Sequence, residues 1–186
     1  MRITLLFLAT CLLVSCHNEK PTSGAETAKS GATAAKDLST SGVSKLYEHY
    51  YDNPDTQAKK DQNDLIDYAV DKGLDVIRTQ SGLYYIVLKE GNGQPYVMGQ
   101  PCKAHYKGYT MDGKIFDSSY NRNQPLIFNV GQMIPGWNEA LQLMNAGTTA
   151  KLLIPSRLAY GERGFPGFVA PNTPLIFDLE LLPLAG

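Results

Sequence analysis

The order of residues between Cys102 and Trp137 leaves few folds open to this chain. Cys102, Ala104 and Tyr106 alternate with Lys103, His105 and Lys107. That period of two predicts a strand with Cys102 and Tyr106 facing inward and His105 outward. Asp112-Gly113 then supplies a tight hairpin turn. Ile134-Pro135-Gly136-Trp137 places a proline and the single tryptophan at a helix start, and the helix is expected to run from Pro135 to Met144 and to close at Asn145-Ala146-Gly147. Two more inward sets follow: Ala150, Leu152 and Ile154, then Leu175, Phe177, Leu179 and Leu181 with Asp178 and Glu180 on the solvent side. Several antiparallel strands and one short helix define an α+β domain, an antiparallel curled sheet wrapped around that helix.

Upstream the texture changes. Arg2 precedes an apolar run from Ile3 to Val14, interrupted at Thr10. At about 1.5 Å per residue such a run is too short to cross a hydrocarbon core of about 30 Å. A positive start and a short apolar stretch read as a secretory signal. The run ends in Leu13-Val14-Ser15-Cys16, which resembles the bacterial lipobox. Residues 1–15 are therefore expected to be a lipoprotein signal peptide, with Cys16 the lipidated mature N-terminus; the other reading is a plain secretory signal with an incidental cysteine. His17 rather than Asp follows Cys16, which favours the outer membrane of a bacterial envelope under enterobacterial sorting. Cleavage before Cys16 also removes Cys11 and leaves Cys102 as the one free thiol, so no internal disulfide framework is expected.

Residues 16–42 are rich in Ser, Thr, Ala, Gly and Lys and read as a flexible tether. Residues 43–81 read as an N-terminal helical arm. Asn53-Pro54 looks like a helix cap and first residue, Ala58, Leu65, Ile66 and Ala69 fall near one face, and Gly73 ends the pattern, giving a helix at about 54–72 and a shorter one at about 44–51. The arm is open to two uses, a stalk or docking helix, or a surface for homodimerisation or client binding.

Composition narrows the chemistry. The formal net charge is -1 and no run of one sign stands out, which leaves no electrostatic footprint for nucleic acid. Of three histidines, His17 and His49 lie in the tether and arm. No Cys/His spacing fits zinc and no glycine-rich phosphate loop follows a strand, so no metal or cofactor is expected. Cys102 reads as an inert core thiol. What remains is an aromatic density beyond the needs of one short helix under one sheet: Tyr106, Phe116, Phe128, Trp137, Tyr160, Phe165, Phe168 and Phe177. Asp117 and Tyr160 add polar atoms that need partners if buried.

Residues 82–186 resemble the FKBP type of peptidyl-prolyl cis-trans isomerase. The resemblance rests on Tyr106, the run Asp112-Gly113-Lys114-Ile115-Phe116-Asp117-Ser118-Ser119, Arg122, Pro125 and Ile134-Pro135-Gly136-Trp137. It continues through Ala159-Tyr160-Gly161, Gly164, Pro166 and Pro171-Asn172-Thr173-Pro174-Leu175-Ile176-Phe177. It implies a proline site between helix and sheet with Trp137 as its floor. Tyr106, Phe116, Phe128, Met133, Ile134, Val169 and Phe177 would be walls, with Leu126 and Phe165 also in contact with substrate. Asp117, Tyr160 and Tyr106 would carry the catalytic role, and the Ile134 N–H would anchor a substrate carbonyl. Proline-containing unfolded or exported polypeptides are the implied partners, and macrolide inhibitors further ligands. Phe165 stands where many members carry histidine, and Leu126 where compact eukaryotic members carry phenylalanine; both bear on substrate preference and macrolide affinity. A non-catalytic module or holdase gripping proline-containing segments is the competing reading.

Overall fold

In a computed structural model, residues 40–183 are described. Two helices open this region, α1 (Thr40–Tyr47) and α2 (Gln57–Asp71). Strands β1 (Ile77–Arg78), β2 (Tyr84–Lys89), β3 (Pro101–Thr110), β4 (Ile115–Ser118) and β5 (Leu126–Asn129) follow, then helix α3 (Pro135–Gln142), β6 (Thr149–Ile154), two 3₁₀ turns (Ser156–Leu158 and Gly161–Arg163) and β7 (Leu175–Leu182). The expected signal peptide, Cys16 and nearly all of the tether lie outside the described residues.

Strand β3 organises an antiparallel sheet ordered β1-β2-β6-β7-β3-β4. One edge of β3 pairs with β7 from Lys103–Leu182 to Thr110–Leu175. Its other edge is divided: residues 101–104 pair with β5 and residues 107–109 with β4. A register shift between Gly108 and Tyr109 marks an irregularity within the β3–β4 pairing. The Asp112-Gly113 turn closes the β3–β4 hairpin with Gly113 at φ 87°, where a side chain would be strained.

The two sheet faces bury different sets. Cys102, Ala104, Tyr106, Ala150, Leu152, Ile154, Leu175, Phe177, Leu179 and Leu181 form one core with Trp137, Ala140 and Leu141 of α3. The predicted inward alternation of β3, β6 and β7 is seen here. Tyr84, Leu153 and Ile176 point the other way and meet Leu46, Leu65, Ile66 and Ala69, so α2 lies against the back of the sheet. Asp61 fixes the seam. It is fully buried, and its carboxylate accepts from the Ser156 N–H at 2.7 Å, from the Ser156 hydroxyl, and from Gln57 Nε2 at 2.6 Å. The back face is therefore not a solvent face. Asp178 is half-buried there and pairs with Lys107 at 3.1 Å and with Lys151.

Helix ends differ from the sequence expectation for local reasons. α2 begins at Gln57, not at Pro54, because Thr56 is the residue whose hydroxyl accepts from the Lys59 N–H, at 3.4 Å. Asp55 stays outside the helix and pairs with Lys59 at 2.6 Å. At the far end Gly73 takes φ 61° and the Leu74 N–H reaches the Ala69 carbonyl at 2.8 Å, the left-handed stop that Gly73 promised. α1 ends at Tyr47 rather than 51 because the Asn63 side chain bonds both the N–H and the carbonyl of Tyr51, at 2.9 and 2.8 Å, drawing that segment out of helix. α3 stops at Gln142; Leu143 and Met144 continue in tighter three-residue bonds to Ala140 and Leu141.

The packing of α2 predicts that Leu65→Ala lowers the unfolding free energy of the whole chain by about 2–5 kcal/mol in urea titration. A change under about 0.5 kcal/mol would mean that α2 is not part of the cooperative unit.

Candidate active site

The cleft begins with a proline. Pro135 sits in the first turn of α3, where its fixed φ suits the helix and its missing N–H costs nothing. The next residue must be small: a Cβ at Gly136 would stand 2.6 Å from Ile154 Cγ2. Glycine there lets the start of α3 press onto β6, and this delivers Trp137 to the concave face of the sheet at 1% exposure. Three rings close on the indole. Tyr106 meets it at 5.2 Å and 88°, Phe177 at 5.3 Å and 83°, and Phe128 at 5.8 Å and 61°, the edge-to-face geometry that aromatic quadrupoles prefer. Phe116 stands edge-on to Phe177 at 5.7 Å. Gly108 makes that pair possible, because a Cβ there would fall 2.6 Å from Phe177 Cε1 and 2.7 Å from Phe116 Cζ.

The polar corner is a triangle. The Tyr106 hydroxyl donates to Asp117 Oδ2, Arg122 Nη1 donates to Asp117 Oδ1, and Arg122 Nη2 donates to the Tyr106 hydroxyl at 2.8 Å. Burial pushes the Asp117 carboxyl up, but the bonds from Tyr106 and Arg122 and the guanidinium charge outweigh it and hold the acid below its ordinary value of 3.8. Burial, then the bond to Asp117, raises Tyr106 to about 12. At neutral pH the corner is thus a carboxylate fixed by a neutral phenol and a cation. The Tyr106 hydroxyl gives its proton to Asp117 and has none left for a ligand. Tyr160 differs: half-buried, its hydroxyl has no partner among the described residues. Its ring stacks on Phe165 at 5.2 Å, and Phe165 stacks on Phe168 at 4.8 Å.

The structure gathers Asp117, Tyr106, Phe116, Phe128, Trp137 and Phe177 through these direct contacts. Val169 is buried in the same core, and Leu126, Met133, Ile134 and Tyr160 pack at its margin. Phe165 stands apart from that core, 40% exposed, as a rim ring over Tyr160. The Ile134 N–H has no partner among the described residues, while its carbonyl receives the N–H groups of Trp137 and Asn138. Two contributors carried no role in the sequence reading. Arg122 follows Asp117 by five residues, and a cation so near a half-buried acid was the available signal. Asn138 accepts from the N–H groups of Gly131 at 2.9 Å and Met133 at 3.2 Å and donates to the Met133 carbonyl at 2.6 Å, so it shapes the loop that presents Met133 and Ile134. No periodicity marks such a residue. His105, expected in solvent, is half-buried, stacked on Tyr120 at 4.7 Å and bonded to Ser119 Oγ at 2.9 Å, away from the cleft. No group of three or more His, Cys, Asp and Glu side chains suited to a metal occurs among the described residues.

A curled sheet over one short helix, with an aromatic cleft and one pinned acid, defines the class of protein to which this chain is similar. Residues 93–182 match the family of FKBP-type peptidyl-prolyl cis-trans isomerases. The structure is similar to AtFKBP13, with TM-score 0.57 and 38% identity over 59% of this chain and 98% of that one. It is also similar to a peptidyl-prolyl cis-trans isomerase from Pseudomonas syringae, with TM-score 0.61 and 31% identity over 73% of this chain and 98% of that one. Among curated proteins, the isomerase FkpA of Buchnera aphidicola is 39% identical over 140 residues, 75% of this chain and 55% of the relative. The chain belongs to the FKBP-type peptidyl-prolyl cis-trans isomerase family. It spans about half the length of the first curated relatives it matches, 55% and 51%.

Two outcomes follow from this geometry. Gly108→Ala should destabilise the fold by about 1–3 kcal/mol through overpacking against Phe177 and Phe116, read by urea unfolding. Because Asp117 is depressed in the folded state, its stabilising contribution is present above the ordinary 3.8 and disappears as pH falls through the lower folded value. The stability gap between the parent and Asp117→Asn should accordingly be constant from neutral pH to about 5 and shrink only in stronger acid. A gap that closes above pH of about 5 would contradict the assignment.

Proposed function

We propose that the chain accelerates cis–trans isomerisation of X–Pro bonds in unfolded or exported polypeptides. One observation carries this reading: a buried indole enclosed by three rings, with a carboxylate fixed at one edge and no nucleophile beside it. Rotation about an amide costs about 18–20 kcal/mol because the planar form is resonance-stabilised. In the twisted state the lone pair returns to nitrogen and the carbonyl becomes less polar. Water favours the planar form, so a dry aromatic cleft binds the twisted state better and lowers the barrier. Each ~1.4 kcal/mol of that preference gives about tenfold in rate.

The roles divide by hydrogen-bonding capacity. Trp137 supports the proline ring, and Phe116, Phe128, Met133, Val169 and Phe177 exclude water around it, with Leu126 at the margin and Phe165 on the rim. Tyr160 and the Ile134 N–H donate to substrate carbonyls. Asp117 supplies a fixed negative charge near the amide nitrogen as it becomes pyramidal, and Tyr106 and Arg122 act through Asp117 as positioning residues. Macrolides are proposed as ligands of the same cleft, with Phe165 and Leu126 setting their affinity.

The leader sequence supports a lipid anchor at Cys16 that holds the domain in a bacterial envelope, with the outer membrane favoured. Tyr47, Tyr50 and Tyr51 are exposed on the N-terminal segment and would provide a homodimer contact.

The test is the cis-to-trans rate of a proline tetrapeptide. Tyr160→Phe should lower kcat/KM about tenfold, the value of one hydrogen bond made in the twisted state. Asp117→Leu should lower it further, with circular dichroism unchanged in both. A folded parent without acceleration would leave the cleft a binding site and overturn the enzyme reading.

A further inference from the structure

A second cavity lies where α2 meets the turn before β2 and the turn after β6. A cavity of about 180 Å³ is lined there by Tyr51, Lys59, Gln62, Arg78, Gly82 and Arg157. Three side chains in that wall are cations and none is an acid. A methyl at Gly82 would stand 3.0 Å from Arg157 Nη2 and 3.8 Å from Arg78 Nη2, so both guanidiniums converge on one point above a bare backbone. Neither has a carboxylate partner among the described residues. Arg157 Nη2 donates to the Ser81 carbonyl. Arg78 donates to Gln62 Oε1 at 3.1 Å and to the Thr79 carbonyl at 3.4 Å, and its Nε–H is buried without a partner. Lys59 lies 5.3 Å from the centre of the Tyr51 ring and is paired with Asp55 at 2.6 Å, outside the lining.

Two like charges brought together without a counter-charge repel, and neutral carbonyl and amide acceptors do not cancel that repulsion. Arg78 at the end of β1 and Arg157 in the first 3₁₀ turn bring their guanidiniums to one small space. Glu139 accepts from the Ser81 hydroxyl at 2.6 Å and Asp61 from the Ser156 N–H at 2.7 Å, but neither acid pairs with Arg78 or Arg157, which remain the unpaired cations of the wall among the described residues. A planar carboxylate would be satisfied by one guanidinium; two guanidiniums converging from separate segments suit a tetrahedral oxyanion, which offers acceptors in several directions.

We propose that this cavity binds a phosphate-class oxyanion, either free phosphate or the phosphate of a lipid headgroup. The bound anion would link α2 to the turns at Gly82 and Arg157 and so strengthen the seam that Asp61 and Ser156 already hold. The cavity shares no lining residue with the aromatic cleft, so its occupancy and the isomerase reading are tested separately.

The test uses the full chain. Its thermal midpoint should rise in about 10 mM sodium phosphate relative to sodium chloride of equal ionic strength, because an anion bound only by the folded state stabilises it. Arg157 is exposed, so Arg157→Gln should fold and should lose the shift, with phosphate affinity by calorimetry reduced at least about tenfold. Arg78→Gln should do the same, while Lys89→Gln, an exposed cation outside the cavity, should keep the parent's response. Flotation with phosphatidylglycerol vesicles against phosphatidylcholine vesicles separates the sources. Loss of the phosphatidylglycerol preference in Arg157→Gln assigns a headgroup, and a vesicle response equal in parent and variant, beside a lost phosphate shift, assigns the free anion. If neither phosphate nor vesicles distinguish the parent from Arg157→Gln, or if Lys89→Gln loses as much as Arg157→Gln, the proposal is overturned.

Discussion

The edge-on packing of Tyr106, Phe128 and Phe177 against Trp137 is the contact on which the concave half of the molecule depends. Those rings come from β3, β5 and β7, and the indole from α3, so one cluster ties three strands to the helix they curl around. Ring centroids within about 4.5–7 Å gain something beyond buried area. The arrangement also dictates where glycine must stand. At Gly136 a side chain would lift α3 from β6, and at Gly108 it would part Phe116 from Phe177. The cleft is thus a by-product of core packing. The rings that hold the sheet to the helix also line the cleft, so its wall needs no separate scaffold.

The convex half solves a different problem. A sheet that turns Tyr84, Leu153 and Ile176 away from α3 would expose a second apolar face, and α2 covers it with Leu65, Ile66 and Ala69. A fully buried carboxylate, Asp61, fixes the height of that helix by accepting from Ser156 at the first 3₁₀ turn. The chain that leaves this turn runs directly to Tyr160. Packing on the back of the sheet and placement of a cleft residue therefore share one short segment, residues 156–160.

The sequence made the cleft more legible than the seam. Alternation in β3, β6 and β7 could be read because the inward residues on the concave face are apolar or aromatic and most of those between them are polar. Trp137 could be read because proline and glycine precede it. Leu153 and Ile176 interrupt no pattern, since an apolar residue on a sheet's outer face announces a covering element without saying which one. Leu65, Ile66 and Ala69 showed that α2 had something to bury, but not whether it was this sheet or another chain. Nothing in the sequence marks Asp61 and Asn63 as buried, yet both are, because Ser156 and Tyr51, distant in sequence, bring them donors and acceptors. Helix ends moved for the same reason. Thr56 displaced Asn53 as the cap, and Asn63 stopped α1 early, through hydrogen bonds that propensity does not encode.

Three arginines show how one residue type takes opposite parts in a single fold. Arg122 is matched: Asp117 and Tyr106 each accept one of its donors, and its charge joins the Tyr106 bond in holding the acid ionised. It stiffens the polar corner of the cleft. Arg78 and Arg157 are unmatched, held only by neutral acceptors and aimed at a glycine. Desolvating a cation without a counter-charge is costly, and the fold tolerates it only because Arg157 stays exposed and the cavity stays open. A matched guanidinium fixes geometry, whereas an unmatched pair leaves a positive potential waiting for an anion. The two faces of one sheet thus carry two kinds of selectivity, exclusion of water around Trp137 and attraction of negative charge at Gly82.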